Sequence, residues 1–431
     1  MTLWGIFGNM RKWLAYRHGE HKAVHIRTGL RSVSLLISVG LCVWAVGCRP
    51  KNAPEPVRPL DDAPLASFQE ELLDLAFDAA SAMPLDPHIK NRSRAQEIIV
   101  AACFELEQPQ RALRYIEQID NWRRGTGYAD LAFFHAQRGY TEPVQGYSDL
   151  AAGIAGQTED WRRDRIKMKI ARVHAYTGQS ETAARFQQDI AASEQGGVAR
   201  VEAMVCPDDA FDEKMAALEA LVSQNQFDGT KNALGAYAEL FNRFYVDSKR
   251  RAIVEERLKA SWDSMPIFMR IDVLKELAGS ALAHADQAKA LELVNEAKAI
   301  MDSARWQPRF AIVLMAQLAQ LFFRAGDEET ARTQVQEALD LFDAKRDVIV
   351  NIYRAQMLRP IAEAYQVMGD TAAALDVYRR AVEAGVENPN SRPRADDLAA
   401  TCCSMAVRAA KPDEELWQRL REIRDGLSDP W

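Results

Sequence analysis

The side chains with which this sequence could do chemistry are few, and their spacing does not suit catalysis or metal binding. Beyond position 48 the histidines are His88, His135, His174 and His284. A zinc site needs at least three protein ligands, and His135 and His174, 39 residues apart in equivalent segments, supply only two. They are expected to hydrogen-bond within a core or groove. Cys103, Cys206, Cys402 and Cys403 show no CxxC spacing. Cys402 and Cys403 are neighbours on a predicted helix and point in different directions, so a bond between them would be strained. All four are expected to be small core residues, although a bridge from Cys402 or Cys403 to a distant cysteine stays open in an oxidising compartment. There is no nucleophile elbow, phosphate-cradling glycine loop, dinucleotide fingerprint or helical HExxH. Acidic clusters such as Asp327–Glu328–Glu329 and Asp413–Glu414–Glu415 stand at predicted helix starts, where the macrodipole favours them. No cofactor, metal or catalytic residue is expected. The alternative is an α-helical enzyme whose carboxylates come together from several loops to act on glycan or peptidoglycan.

The elements that carry these residues read as helices. At 431 residues with 48% hydrophobic and 27% charged side chains, the chain has the balance of a folded protein. Gly 22 and Pro 17 are low for that length, and alanine recurs at helical spacing. No alternating segment long enough for a strand interrupts the pattern.

Charge divides the chain unevenly. Arg11, Lys12, Arg17, Lys22, Arg27 and Arg31 face the single acid Glu20 in residues 1–47, so the remainder is more acidic than the whole chain at −7. An acidic body repels phosphate, and no nucleic-acid partner is expected. The basic stretch leads into SVSLLISVGLCVWAVG, an uncharged apolar run that ends in the small residues before Cys48. That order is a signal-peptide pattern. Ala45, Val46, Gly47 and Cys48 resemble the bacterial lipobox, although Ala45 stands where that family usually has Leu. The resemblance implies cleavage before Cys48 and lipidation of its side chain. An uncleaved signal anchor is the alternative, and both place the body outside the cytoplasm. The resemblance also favours the outer membrane over the inner one, because Arg49 is not the retaining aspartate of the best-known sorting system. The long basic region leaves Met10 open as a start.

Pro50, Pro54, Pro56, Pro59 and Pro64 follow the cysteine and make residues 48–66 a semi-rigid extended tether. Ser67, with Glu70 three residues on, reads as a capping box, so the folded body is expected over 67–431.

Within that body three segments align without gaps. Ala278, Ala319 and Ala362 begin a pattern continued by Ala281, Phe322 and Tyr365, then by the turn residues Ala285, Gly326 and Gly369. Alanines follow at 290, 331 and 374, larger residues at Val294, Val335 and Tyr378, and further alanines at 297, 338 and 381. The spacing describes two antiparallel helices joined by a tight turn, with small residues where they cross. The order resembles the tetratricopeptide repeat. Weaker echoes run upstream through Ala171, His174, Gly178 and Ala183 (Phe186 one place early), Ala132, His135, Gly139 and Ala151, and Val100, Cys103, Ala112 and Ile116. Successive starts lie 41 and 43 residues apart, longer than the family's usual ~34, so longer helices are expected. Between about 198 and 265 helices are legible without a repeat frame. The last two helices, joined at Lys411 and Pro412, are expected to cap the stack.

The resemblance implies an all-α fold, a right-handed superhelical array of antiparallel helix pairs (a tetratricopeptide-like α-solenoid), with partners bound on a concave groove lined by the first helix of each pair. Carried onto the best-matching repeats, the groove positions are Gln320, Phe323 and Arg324, then Arg359, Glu363 and Gln366, with Arg172 and Tyr176 corresponding upstream. The function implied is a membrane-anchored periplasmic scaffold or adaptor for other envelope proteins, supporting envelope assembly or secretion. On this reading Arg324→Glu with Arg359→Glu abolishes partner capture and leaves the melting temperature nearly unchanged.

Overall fold

The computed structural model describes residues 59–431 apart from 189, 192, 193, 195, 225, 226, 263 and 264. The signal segment, Cys48 and most of the tether fall outside the described residues. Within them there are nineteen α-helices and no strand. None of these helices is long and apolar enough to cross a membrane.

The chain opens with α1 (Ser67–Ala82) and then runs through helix pairs: α2 (Leu85–Glu105) with α3 (Pro109–Glu117), α4 (Arg123–Gln137) with α5 (Glu142–Gly156), and α6 (Asp160–Tyr176) with α7 (Ser180–Gln187). Next come α8 (Ala199–Met204) and α9 (Phe211–Ser223), α10 (Phe227–Arg243) with α11 (Ser248–Ala260), and α12 (Ile267–Ala283) with α13 (Gln287–Asp302). The series ends with α14 (Pro308–Arg324) and α15 (Glu328–Lys345), α16 (Asn351–Val367) and α17 (Thr371–Val386), then α18 (Ser391–Val407) and α19 (Glu414–Asp425). In the region without a legible repeat frame α10 pairs with α11, whereas α8 and α9 both pack chiefly on α10 and form no regular pair.

One turn recurs, and it explains the aligned columns. At Glu107, Gly139, Gly178, Ala285, Gly326, Gly369 and Ala409 the backbone is left-handed. At each, the next amide bonds the carbonyl five residues back, as from Asp327 to Phe322 (2.9 Å) and Asp370 to Tyr365 (3.0 Å). The left-handed residue lets the last carbonyls of the first helix find donors. In the three best-aligned repeats an aspartate follows and caps the second helix, as Asp327 Oδ1 accepts from Thr330 N and Asp370 Oδ1 from Ala373 N. In the aligned columns on either side of the turn position, the alanines and the larger residues are buried.

Ala285 adopts φ +57° where the equivalent positions of the next two repeats hold glycine. A Cβ in that conformation is strained, so Ala285→Gly is expected to stabilise by up to ~1 kcal/mol. Gly369→Val is expected to cost ~1–3 kcal/mol, and for conformational reasons alone, since no atom lies within 4 Å of a Cβ built there. Chemical denaturation of the two variants checks both signs.

The two ends of the array meet. Each first helix, from α2 to α18 in even numbers, packs against the next, and α18 also packs against α2, so the inner layer closes on itself. The second helix of the last pair is not α19 but α1, which lies along α18 as closely as α13 lies along α12. Leu72, Leu73, Ala76, Phe77, Ala80 and Met83 are its buried face. Gln69 Nε2 donates to Ala406 O (2.8 Å), and Phe77 stacks on Tyr115 of α3 at 4.1 Å. The expected capping role of the final pair is thus corrected: α19 sits outside α18 and touches both α17 and α1. The physical reason is that α18 is buried on nearly every side, which one amphipathic helix could not achieve.

The start of the body differs in detail as well. The helix does begin at Ser67, but Ala66 is its N-cap residue and Gln69 Oε1 accepts from Ala66 N, so Ser67 and Glu70 form no capping box. Residues at the end of the expected tether are docked rather than free. Asp62 accepts from the amides of Gln110 and Arg111 at the start of α3, and Ala63 N donates to Glu107 O (2.9 Å).

Candidate partner-binding surface

Consecutive first helices are parallel, and polar rungs join them at matching depth. Arg123 of α4 pairs with Glu97 of α2, and Lys169 of α6 with Asp130 of α4. Arg200 of α8 reaches Glu239 of α10 (3.0 Å) and Glu276 of α12 (3.1 Å). Lys275 of α12 donates to Gln317 of α14, and Arg359 of α16 pairs with Asp397 of α18 at 3.0 Å. Most of these partners lie roughly one repeat apart in sequence, and Arg200 with Glu276 spans two. The polar stripe that faces inward therefore serves as the seam of the inner layer.

The groove positions split on this point. Gln320 and Glu363 gather with Arg408, which follows α18, and Gln366 lies about one turn beyond Glu363 on α16. Arg408 Nη2 donates to Gln320 Oε1 and to Glu363 Oε2 (both 3.2 Å), and Glu363 Oε1 accepts from Ser404 (2.7 Å). Burial, with Arg408 nearby, holds the Arg324 pKa below its usual value. Gln366 is half-buried, and its Oε1 is shielded from solvent without a hydrogen-bond donor. Phe323 is partly buried against the core. Upstream, Arg172 lies over the Phe133 ring at 5.2 Å and Tyr176 meets that ring edge-on at 5.3 Å.

Arg359 is committed elsewhere. Its partner Asp397 is almost wholly buried, so Arg359→Glu sets two carboxylates against each other and cannot leave the fold untouched. The expectation of an unchanged melting temperature fails for that half of the double exchange. Sequence reasoning also missed Arg408, Ser404 and Asp396. Asp396 keeps 38% of its side-chain exposure and pairs with Arg392 (3.1 Å), yet burial and the neighbouring Asp397 push its pKa up to about 7. Only the meeting of α18 with α16 and α2 creates this environment, and no local pattern marks it.

His135, His174 and His284 are held by structural contacts. His174 Nδ1 bonds Gln179 and its ring stacks on Phe186, while His284 stacks on Tyr245 at 4.3 Å. His135 is fully buried and contacts Leu131 O through Nδ1 (2.7 Å). Its Nε2 receives the Leu60 amide (3.0 Å), and because an amide can only donate, the ring proton sits on Nδ1. Burial lowers its pKa, opposed by the Leu131 carbonyl and aided by Arg138. A histidine with a depressed folded pKa contributes stability that is present above its unfolded pKa and lost as pH falls below it. Acidification below about 6.5 is therefore expected to loosen the segment around Leu60 first, read as faster amide exchange at Leu60, and His135→Gln is expected to flatten that dependence.

Cys103, Cys206, Cys402 and Cys403 are free and buried, with thiol pKa values raised by desolvation. Among the described residues no three His, Cys, Asp or Glu side chains gather to hold a metal.

The class this packing defines is an all-α array of tetratricopeptide-like helix pairs. No family model matches the chain, and no curated protein does. Among solved structures it is similar to yeast Tom70, at 11% identity over 79% of this chain and 84% of that one with a TM-score of 0.23. It is also similar to a circular tandem repeat protein with a novel repeat topology, at 15% identity over 83% of this chain and 94% of that one with a TM-score of 0.19. Both superpositions are loose, and the class stands on the helix packing itself.

Proposed function

We propose that the chain is a membrane-anchored scaffold of the bacterial envelope that holds a partner protein against its inner layer, with lipidated Cys48 as the anchor and the outer membrane as the site. The observation that carries the binding half is the cluster of Gln320, Glu363 and Arg408, with Gln366 about one turn along α16 from Glu363. Its polar groups come from α14, α16 and α18 together, and Gln366 Oε1 is kept from solvent with no donor. An acceptor kept from solvent without a donor is a poor use of an interior and a good use of a docking surface. The apolar run that ends at Cys48 supports the anchor.

One preparation tests both halves. In the full chain extracted with detergent, Gln366→Lys is expected to remove the proteins that copurify with the wild type while the melting temperature holds. Retention of the same set would show that the inner face is not the docking surface. Mass spectrometry of the wild type is expected to find a diacylated N-terminus at Cys48, and Cys48→Ser is expected to leave the precursor uncut. An intact segment from Arg31 to Gly47 in the wild type refutes the anchor.

A further inference from the structure

Because the first helices are parallel, all their N-termini lie at one end of the array and the recurrent left-handed turns lie at the other. The N-terminal end carries an unusual set of exposed apolar side chains: Trp161, Phe227, Phe268 and Phe310 in the first turns of α6, α10, α12 and α14, and Val348 and Val350 just before α16. Phe227 is 57% exposed and Val348 74%, and neighbouring members touch, as Phe227 does Phe268 at 6.4 Å between ring centroids. Exposed apolar side chains gathered at one end of the array mark an interaction surface.

Its charge pattern selects the occupant. Beside these apolar side chains the exposed charges come in both signs, Arg162, Lys231 and Arg305 against Glu159, Asp160 and Asp228. The body as a whole is acidic, so two copies repel through most of their surface and least through this balanced end. A bilayer rich in anionic lipid gains nothing from a rim without net positive charge. We propose that this rim is a self-association face, occupied by a second copy of the chain docked rim to rim about a two-fold axis. Such a contact uses the same patch on both copies, and a face that is apolar and carries both charge signs is complementary to itself. This inference does not depend on the inner-face reading and survives its failure.

The test uses the full chain in its native membrane, expressed as two differently tagged copies. A photo-crosslinking residue is placed by Phe227→benzoylphenylalanine or Phe268→benzoylphenylalanine at the rim, and by Val246→benzoylphenylalanine at the opposite end, where the native side chain is 89% exposed. Irradiation is expected to give a covalent dimer bearing both tags from the rim positions and not from position 246. Phe227→Asp with Phe268→Asp is expected to lower co-capture of the two tags by at least about tenfold with an unchanged melting temperature, since both side chains are exposed. Rim adducts only to lipid or to a different protein, no adduct at all, or an equal dimer yield from position 246 would overturn the proposal.

Discussion

Deleting residues 59–83 is expected to cause the largest loss of stability of any change of similar length, although these residues lie at one end of the described fold. In an open stack the terminal helix touches a single neighbour, and its loss frays one repeat. Here α1 is the second helix of the last pair, and it also packs on α2 of the first. Its removal uncovers the apolar sides of α18 and α2 at once, including Cys103, Cys403 and Met405, all now buried. The shortened chain is expected to melt far lower and to aggregate. A synthetic peptide of residues 60–83, added in trans, is expected to restore both the melting temperature and the monodisperse solution, because the missing helix makes its contacts through side chains rather than through chain continuity. The milder variant Leu73→Ala, at a position with no exposure, is expected to cost about 2–5 kcal/mol. If the deletion variant melts within a few degrees of the intact chain, the ends do not depend on each other and the ring closure has no energetic weight.

How much of this the sequence carried depends on how local each signal is. The tight turns were legible because each is encoded within a few residues: a left-handed position, an aspartate cap, and small residues at fixed steps on either side. Gly326 with Asp327 and Gly369 with Asp370 show it directly. The α10–α11 connection lacks that signature. Asp247 there caps α11 without a preceding glycine, and the repeat frame was invisible although both helices were clear. Closure was not legible for a different reason. The periodicity of α1 shows that it has an apolar face, and nothing in it names α18, more than 300 residues away, as the surface that face meets. Helix α18 carried a clue in retrospect, since a run of Ala, Thr, Cys, Ser and Met around 399–406 leaves no polar face and so implies burial on all sides. The groove residues fared in between. Their place on the inner layer followed from the repeat frame, whereas Arg359 and Glu363 proved to be tied to α18, a link that depends on helix order rather than on spacing.

The seam of the inner layer supplies the second large expected effect. Arg123 and Glu97 are both nearly devoid of solvent, with side-chain exposures of 8% and 7%. Glu97 accepts from Arg123 through one oxygen and from the Thr126 hydroxyl (2.6 Å) through the other, so the carboxylate is satisfied on both sides. Desolvation lowers the pKa of Arg123, and the facing Glu97 opposes that shift. Removing the guanidinium leaves a buried carboxylate whose remaining partner is a single hydroxyl, and Arg123→Ala is expected to cost roughly 3–5 kcal/mol. Taking out both charges is different in kind. Arg123→Met with Glu97→Gln removes the desolvation penalty together with the attraction, keeps the volume of the site, and lets the amide continue to accept from Thr126. That pair is expected to recover most of the loss, and a double-mutant cycle read by chemical denaturation gives the coupling directly. Should Arg123→Ala destabilise by less than about 1 kcal/mol, the range of an exposed pair, water reaches the seam and the rungs between first helices are surface contacts rather than interior ones.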